Sequence, residues 1–259
     1  MDEISLIPVK AFSDNYIWLA QAQGDADTGI VIVDPGDANP VLQMMNTLAI
    51  TPCAVLITHH HYDHIDGIQE LLKHYDVPVY GPSASFIPGL TRHVGEGDQV
   101  ELDNGLVFRV LEVPGHTTDH IAYWGHQTLF CGDTLFAGGC GRLFEGSAEQ
   151  MFQSLQKLAG LPDETRICCA HEYTLNNLEF ALQVDTHNEL LVARLEATRK
   201  VRLAGQPSLP SLLLTEKQTN PFLRCHDGRI QAAAASYANR PMADAMETFR
   251  VIRFWKDTW

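Results

Sequence analysis

The chain is poor in positive charge. Against 32 Asp and Glu stand 18 Lys and Arg in 259 residues, a net charge of −14. Binding to phosphate backbones or anionic lipid needs a basic field, so nucleic-acid and membrane partners are disfavoured. No apolar run approaches the ~20 residues that span a bilayer. The opening MDEISLIPVK is acidic and lacks the basic-then-apolar layout of a secretory signal, so a cytoplasmic location is expected. There is no C-x-x-C pair, and four of the six cysteines lie in or beside apolar runs. Reduced, mostly buried thiols are expected rather than a disulfide framework. Internal repeats and low-complexity linkers are missing too.

What is present divides unevenly. Residues 1–172 hold 7 basic and 23 acidic side chains, a balance of −16, whereas residues 173–259 hold 11 and 9, a balance of +2. The first stretch alternates short β-rich runs with Gly- and Pro-rich turns: 30–33, 54–58, 77–80, 106–113, 121–124, 128–131 and 167–170. A short helix is expected over 66–74. The second stretch has the spacing of helices. Over 188–204, Leu191, Leu195 and the nearby Val192 share one stripe, and Gly205, Pro207 and Pro210 stop the run. Further helices are expected over 230–238 and 241–254, with Pro241 as a first helical residue. The expected organisation is a mixed α/β domain, 1–172, followed by a small helical domain, 173–259.

Twelve histidines are many for this length, and their placement points to chemistry. In Thr58-His59-His60-His61-Tyr62-Asp63-His64, residues two apart in an extended segment face the same side, so His59 and His61 can grip one ion. Asp63 and His64 fall where the run turns helical and can face a second. Imidazole nitrogens and carboxylate oxygens are the donors that Zn²⁺ and similar ions take. A solvated His-rich turn is the competing reading. His116 and Asp133 each follow an apolar strand through a short turn and His171 follows one directly, at the strand ends where α/β sheets collect ligands. Singly each is an ordinary loop residue; together with the His-rich run they point to a two-metal centre.

These residues, in this order, resemble the T-H-x-H-x-D-H signature of the metallo-β-lactamase superfamily. Ser13 to Trp18 (SDNYIW), Phe130 to Thr134 (FCGDT), Gly138 to Arg142 (GGCGR), His171 to Thr174 (HEYT) and Asn220 to Arg224 (NPFLR) narrow the resemblance to the glyoxalase II, or hydroxyacylglutathione hydrolase, family. That resemblance implies an αββα sandwich with a small C-terminal all-helical domain. It implies one metal held by His59, His61 and His116, a second by Asp63, His64 and His171, and Asp133 bridging them. The cofactors would be two divalent ions, zinc first, with iron or manganese as alternatives. The implied reaction is hydrolysis of S-(2-hydroxyacyl)glutathione thioesters, such as S-D-lactoylglutathione to D-lactate and glutathione. A hydroxide between the metals would be the nucleophile, since two cations lower the pKa of a shared water. No side chain is then needed as a nucleophile.

Glutathione thioesters are anionic, so an acidic chain needs a local basic clamp. The resemblance points to Arg142, Phe144, Tyr173, Arg253 and Lys256 as substrate-binding residues. Arg253 and Lys256, spaced i and i+3, can share a helix face; the alternative for them is a solvated helix end. Arg142 and Phe144 stand where some family members have Lys and Tyr, and Phe144 lacks the hydroxyl. His60, His74, His93, His120, His126, His187 and His226 match no ligand position. A monomer is expected. The alternatives are another hydrolase of the same fold, acting on a lactone or phosphodiester, or a mononuclear-iron persulfide dioxygenase. A non-catalytic domain would be expected to lack some of the seven ligands.

Overall fold

The computed structural model describes residues 4–22, 29–83 and 86–259. Contacts group the chain into two compact units. The first comprises 1–112, 119–132 and 168–171; the second comprises 113–118, 133–167 and 172–259.

The first unit holds strands β1 (Ile4–Ala11), β2 (Asn15–Ala22), β3 (Ile30–Val33), β4 (Pro52–Leu56), β5 (Val79–Pro82) and β6 (Arg92–Val94), in that order across one sheet. β1 to β3 pair antiparallel and β3 to β6 parallel. Helices α1 (Ala38–Leu48), α2 (Tyr62–Ile65) and α3 (Ile68–His74) complete its first half. Alternate residues of the strands, Val9 and Ala11, Ile17 and Leu19, Ile30 and Ile32, Val55 and Ile57, form one core with Val41 and Met45 of α1 and Ile68 and Leu71 of α3. The opposite face, with Trp18, Ala20, Val31, Val33, Ala54 and Leu56, is buried as well. Burial on both faces explains why these strands are near-continuous apolar runs. A second, antiparallel sheet holds β7 (Gln99–Glu101), β8 (Val107–Glu112), β9 (Ile121–Gly125) and β10 (Thr128–Gly132). β8 alternates between exposed and buried positions, as in a sheet wetted on one side.

Parallel pairing in the first sheet brings neighbouring strand ends together. Val33 of β3 lies opposite Leu56 of β4. The next residues on both strands therefore emerge side by side: Asp34 N donates to Leu56 O (3.0 Å), and Thr58 N donates to the Asp34 carboxylate (2.8 Å).

The second unit contains a short hairpin, β11 (Leu135–Phe136) with β12 (Gly139–Cys140), then helix α4 (Ala148–Ala159). Strand β13 (Arg166–Cys169) begins there, and its Arg166 and Ile167 pair with β14 (Ser211–Leu212). Helices α5 (Thr174–Val184), α6 (Glu189–Leu203), α7 (Leu213–Thr219), α8 (Gly228–Ala238) and α9 (Ala245–Thr258) make up the rest. Leu178, Ala181, Leu191 and Leu195 form one small core between α5 and α6. The α7 side chain Glu216 is fully buried, where it pairs with Arg194, accepts from Gly138 N (2.8 Å) and meets Asn220 Nδ2 (3.3 Å). No helix of the described residues is long and apolar enough to cross a membrane. All six cysteines are free.

Three expectations shift. The helix expected over 66–74 runs over 68–74, and a separate helical turn, 62–65, precedes it, the two parted where Gly67 N donates to Pro35 O (2.9 Å). The last helix begins at Ala245, not Pro241: Asp244 caps it by accepting from Glu247 N (2.7 Å), while Glu247 reaches back to Ala243 N. Val192 is exposed; the buried stripe of α6 is Leu191, Leu195 and Thr198. The hairpin β1–β2 and the helices α1, α4 and α5 had no counterpart among the elements expected from sequence.

Two substitutions probe this packing. Glu216→Ala strips the partner from a largely buried Arg194, so stability read from urea unfolding falls by about 3–5 kcal/mol. A Cβ on Gly36 would lie 1.9 Å from the Asp63 carbonyl oxygen. Gly36→Ala is therefore expected to lower stability in the same assay by about 1–3 kcal/mol, the usual cost of overpacking.

Candidate metal centre

The first unit brings five of the expected ligands to the strand ends. His59 is fully buried and His61 half-buried, with ring centroids 4.7 Å apart, as an extended segment with a two-residue spacing requires. The chain then enters α2, which carries Asp63 and His64. His171 follows Ala170, whose N donates to Gly132 O (3.2 Å) and whose O accepts from Tyr16 N (2.7 Å).

Asp63 Oδ2 lies 3.6 Å from His64 Nε2 and 3.4 Å from His171 Nε2. Ligand bonds of about 2.0–2.1 Å in tetrahedral geometry separate neighbouring donor atoms by roughly 3.3–3.4 Å. The spacing is that of donors sharing one ion, and Asp63, His64 and His171 form such a group. Neighbouring polar side chains contact all three residues. Asp14 Oδ1 faces His171 Nδ1 at 2.7 Å, Asn15 Nδ2 donates to Asp63 Oδ2 (3.0 Å), and Asp34 Oδ2 faces His64 Nδ1 at 3.1 Å. For His171 the bond to Asp14 fixes Nδ1 as the protonated nitrogen and leaves Nε2 to present its lone pair. The cluster therefore fits a divalent metal ion.

Of the histidines that match no ligand position, two support the site. His60 turns to Asp119 (3.0 Å), and His120 stacks on His59 with centroids 4.5 Å apart. Gly132, at φ +46°, lies so close that a Cβ would meet Thr58 Oγ1 at 2.3 Å and the His120 ring at 2.8 Å. His74, His93, His187 and His226 are exposed, and His126 accepts from Val107 N (3.1 Å).

The second unit holds His116 and Asp133, both buried, with Nε2 and Oδ2 3.4 Å apart, again the spacing of two ligands. His116 Nδ1 donates to Arg142 O (2.9 Å), leaving Nε2 toward Asp133. Both line a cavity of about 720 Å³ in this unit, together with the five expected substrate-binding residues. Phe144 is exposed and sets its ring against His116 at 5.2 Å; Tyr173 sets its ring against Phe136 at 5.2 Å. Arg142 is exposed, with Nε 3.8 Å from Asp257.

Arg253 is no solvated helix end, since only 4% of it is exposed. It donates to Cys140 O (2.8 Å) and pairs with Asp257 (3.0 Å). Lys256 donates to Asn176 Oδ1 (2.6 Å) and sits 4.5 Å above the Trp259 ring. Burial, then repulsion from Arg253 and Arg142, pushes the Lys256 ammonium down to about 8. Asn176, Asp257 and Trp259 are cavity residues that sequence reasoning missed. Asp257 carried a signal, since it stands i+4 from Arg253; Asn176 and Trp259 carried none.

The chain is similar to known proteins along its whole length. Residues 15–171 match the metallo-β-lactamase superfamily, and residues 172–259 match the hydroxyacylglutathione hydrolase C-terminus. The hydroxyacylglutathione hydrolase of Nitrosomonas europaea is 49% identical over 257 residues, covering 99% of this chain and 97% of that protein. The one from Photobacterium profundum is 51% identical over 253 residues, covering 97% and 98%. Among solved structures, ETHE1 from Myxococcus xanthus superposes with a TM-score of 0.66 at 25% identity, covering 96% of this chain and 89% of that one. The BLEG-1 B3 metallo-β-lactamase superposes at 0.62 and 21% identity, covering 85% and 99%, a likeness of fold. The α/β strands and C-terminal helices are thus those of the metallo-β-lactamase fold with its hydroxyacylglutathione hydrolase extension, and the chain belongs to the hydroxyacylglutathione hydrolase family.

Proposed function

We propose that this chain hydrolyses S-(2-hydroxyacyl)glutathione thioesters, converting S-D-lactoylglutathione to D-lactate and glutathione, the second step of methylglyoxal detoxification. The carrying observation is that identity near 50% to proteins named for this activity extends through the C-terminal residues lining the cationic cavity. In this reading His59, His61 and His116 hold one divalent ion, Asp63, His64 and His171 hold a second, and Asp133 bridges them. Zinc suits the donors, and iron or manganese are the alternatives, because His and Asp without Cys accept all three. When bound, the two ions supply Lewis acidity and a water acidic enough to attack near neutral pH.

The chain's own residues do the rest. Residues 1–172 carry the metal ligands, and 173–259 carry most of the basic clamp. Arg142 and Lys256 offer positive charge to the substrate's carboxylates. Arg253, spent on Cys140 O and Asp257, shapes the wall of the same cavity. Arg142 has a double part, because its carbonyl orients His116 while its guanidinium stays exposed. Phe144 and Tyr173 give the cavity apolar edges. The departing thiol ionises near pH ~8.5, so it leaves with little help from an acid. Free thiols suit a reducing, cytoplasmic setting, and the acidic balance of the chain disfavours a nucleic-acid partner.

Loss of the thioester of S-D-lactoylglutathione, followed before and after chelation and metal add-back, tests the proposal. Turnover that chelation abolishes and metal restores is expected. No turnover by a protein loaded with two ions would defeat the glutathione reading.

The clamp has its own tests. Lys256→Ala removes one charge-assisted contact, so KM is expected to rise about 10–100-fold with metal content unchanged. The Lys256 ammonium keeps its charge below about 8 and loses it above. KM for the anionic thioester is therefore expected to climb as pH passes about 8. Lys256→Arg, which stays charged, should flatten that climb. A KM indifferent to both pH and substitution would remove Lys256 from the clamp.

A further inference from the structure

Arg142, Arg253 and Lys256 line the cavity of the second unit, yet the substrate proposed for it is not a simple anion. A glutathione thioester carries two carboxylates and one ammonium. At its γ-glutamyl end the ammonium and a carboxylate share one carbon. A cavity that answered only negative charge would leave that ammonium beside Arg142 and Lys256, which repel it. Among the described residues lining the cavity, two are acids, Asp133 and Asp257. Asp133 is buried and faces His116 as a candidate metal ligand. Asp257 is the one left to meet a cation.

Asp257 lies in the last turn of α9, one turn beyond Arg253. Arg253 Nη2 donates to Asp257 Oδ1 (3.0 Å). Because Arg253 is buried, that bond ties the carboxylate down from the protein side. A carboxylate has about four lone-pair sites, and its exposed side keeps the rest. Arg142 stands beside it, with Nε 3.8 Å from the same Oδ1, too far for a hydrogen bond. The Arg142 and Asp257 side chains are 68% and 38% exposed. The pair is therefore an anchored carboxylate next to an exposed guanidinium, and both can still bond a ligand.

A lone ammonium would gain little here, since Arg142 and Lys256 offset Asp257. An amino-acid head is different. Its carboxylate can pair with Arg142 while its ammonium, on the same carbon, reaches Asp257. Opposite charges of the ligand then meet opposite charges of the protein side by side. Lys256 is left for the carboxylate at the other end of the tripeptide.

We propose that Asp257 is a specificity-determining residue that binds the α-ammonium of the γ-glutamyl group, with Arg142 beside it on the α-carboxylate. This rests on the glutathione reading of the cavity. An Asp257 that served Arg253 alone would support every thioester equally. An ammonium receptor favours only those thioesters that carry the ammonium.

The test compares S-D-lactoylglutathione with its desamino analogue, in which glutaryl replaces γ-glutamyl, so the carboxylate stays and the ammonium goes. Both are assayed near neutral pH, below the loss of the Lys256 charge at about 8. On the metal-loaded wild type, KM is expected to be about 5–20-fold higher for the desamino thioester, with kcat alike, as loss of one charge-assisted contact implies. Asp257→Asn keeps an oxygen for Arg253 and loses the charge, so the ratio of the two KM values should fall to about one. Where Asp257→Asn does not fold, Asp257→Ser is read in the same way. A ratio that keeps its wild-type value in a folded variant overturns the proposal, whatever the individual KM values do. A wild type that does not distinguish the two thioesters also overturns it, with the glutathione reading intact. No turnover of S-D-lactoylglutathione by the metal-loaded wild type defeats that reading and the proposal together.

Discussion

Imidazole offers two nitrogens, and only one can face an ion; the other must be held by something that will not move. Much of this molecule can be understood as the means of holding it. His171 is anchored by Asp14, His59 by Thr58 and His116 by the Arg142 carbonyl, and Asp34 lies 3.1 Å from His64. These anchors stand at strand ends and tight turns whose backbones are themselves pinned, as Asp34 N is to Leu56 O. The parallel register of β3 and β4 is what sets Asp34 beside Thr58. Shifting that register by one residue would put the two side chains on opposite faces of the sheet.

A second constraint is electrostatic. A chain of net charge −14 has to receive an anion, and it meets that demand locally. Arg142, Arg253 and Lys256 line one cavity, where burial first, and then repulsion among them, depresses the Lys256 ammonium. Asp257 offsets part of that crowding by pairing with Arg253. Arg253 is buried and already bonded, Arg142 is exposed, and Lys256 lies between. Three cations that look alike in sequence therefore divide into a wall, an exposed arm and a tunable charge.

Much of this was legible beforehand for a physical reason. Ligand spacing and strand patterning are local: THHHYDH folds its donors together within a few residues, and buried parallel strands must be apolar along their length. The boundaries of β3, β9 and β10 match the apolar runs to within a residue. Helix termini were less legible. Pro241 and Asp244 both offer starts, and the choice went to Asp244 because Glu247 completes the capping exchange. The hairpin β1–β2 escaped because its first strand mixes Lys10 and Pro8 with apolar residues, and its pairing with β2 satisfies the backbone.

By itself the sequence determined the family and the presence of helices after the last candidate ligand. Those depend on residue identity and short spacings, which survive whatever the chain does at long range. Tertiary structure decided which residues serve the donors. Asp14, Asn15 and Asp34 look like turn residues until strand pairing sets them behind His171, Asp63 and His64. Tertiary structure likewise decided which of the three cations is exposed to meet a ligand. Hydrogen bonds act over about 3 Å, so their partners are known only once distant segments of chain have been packed together.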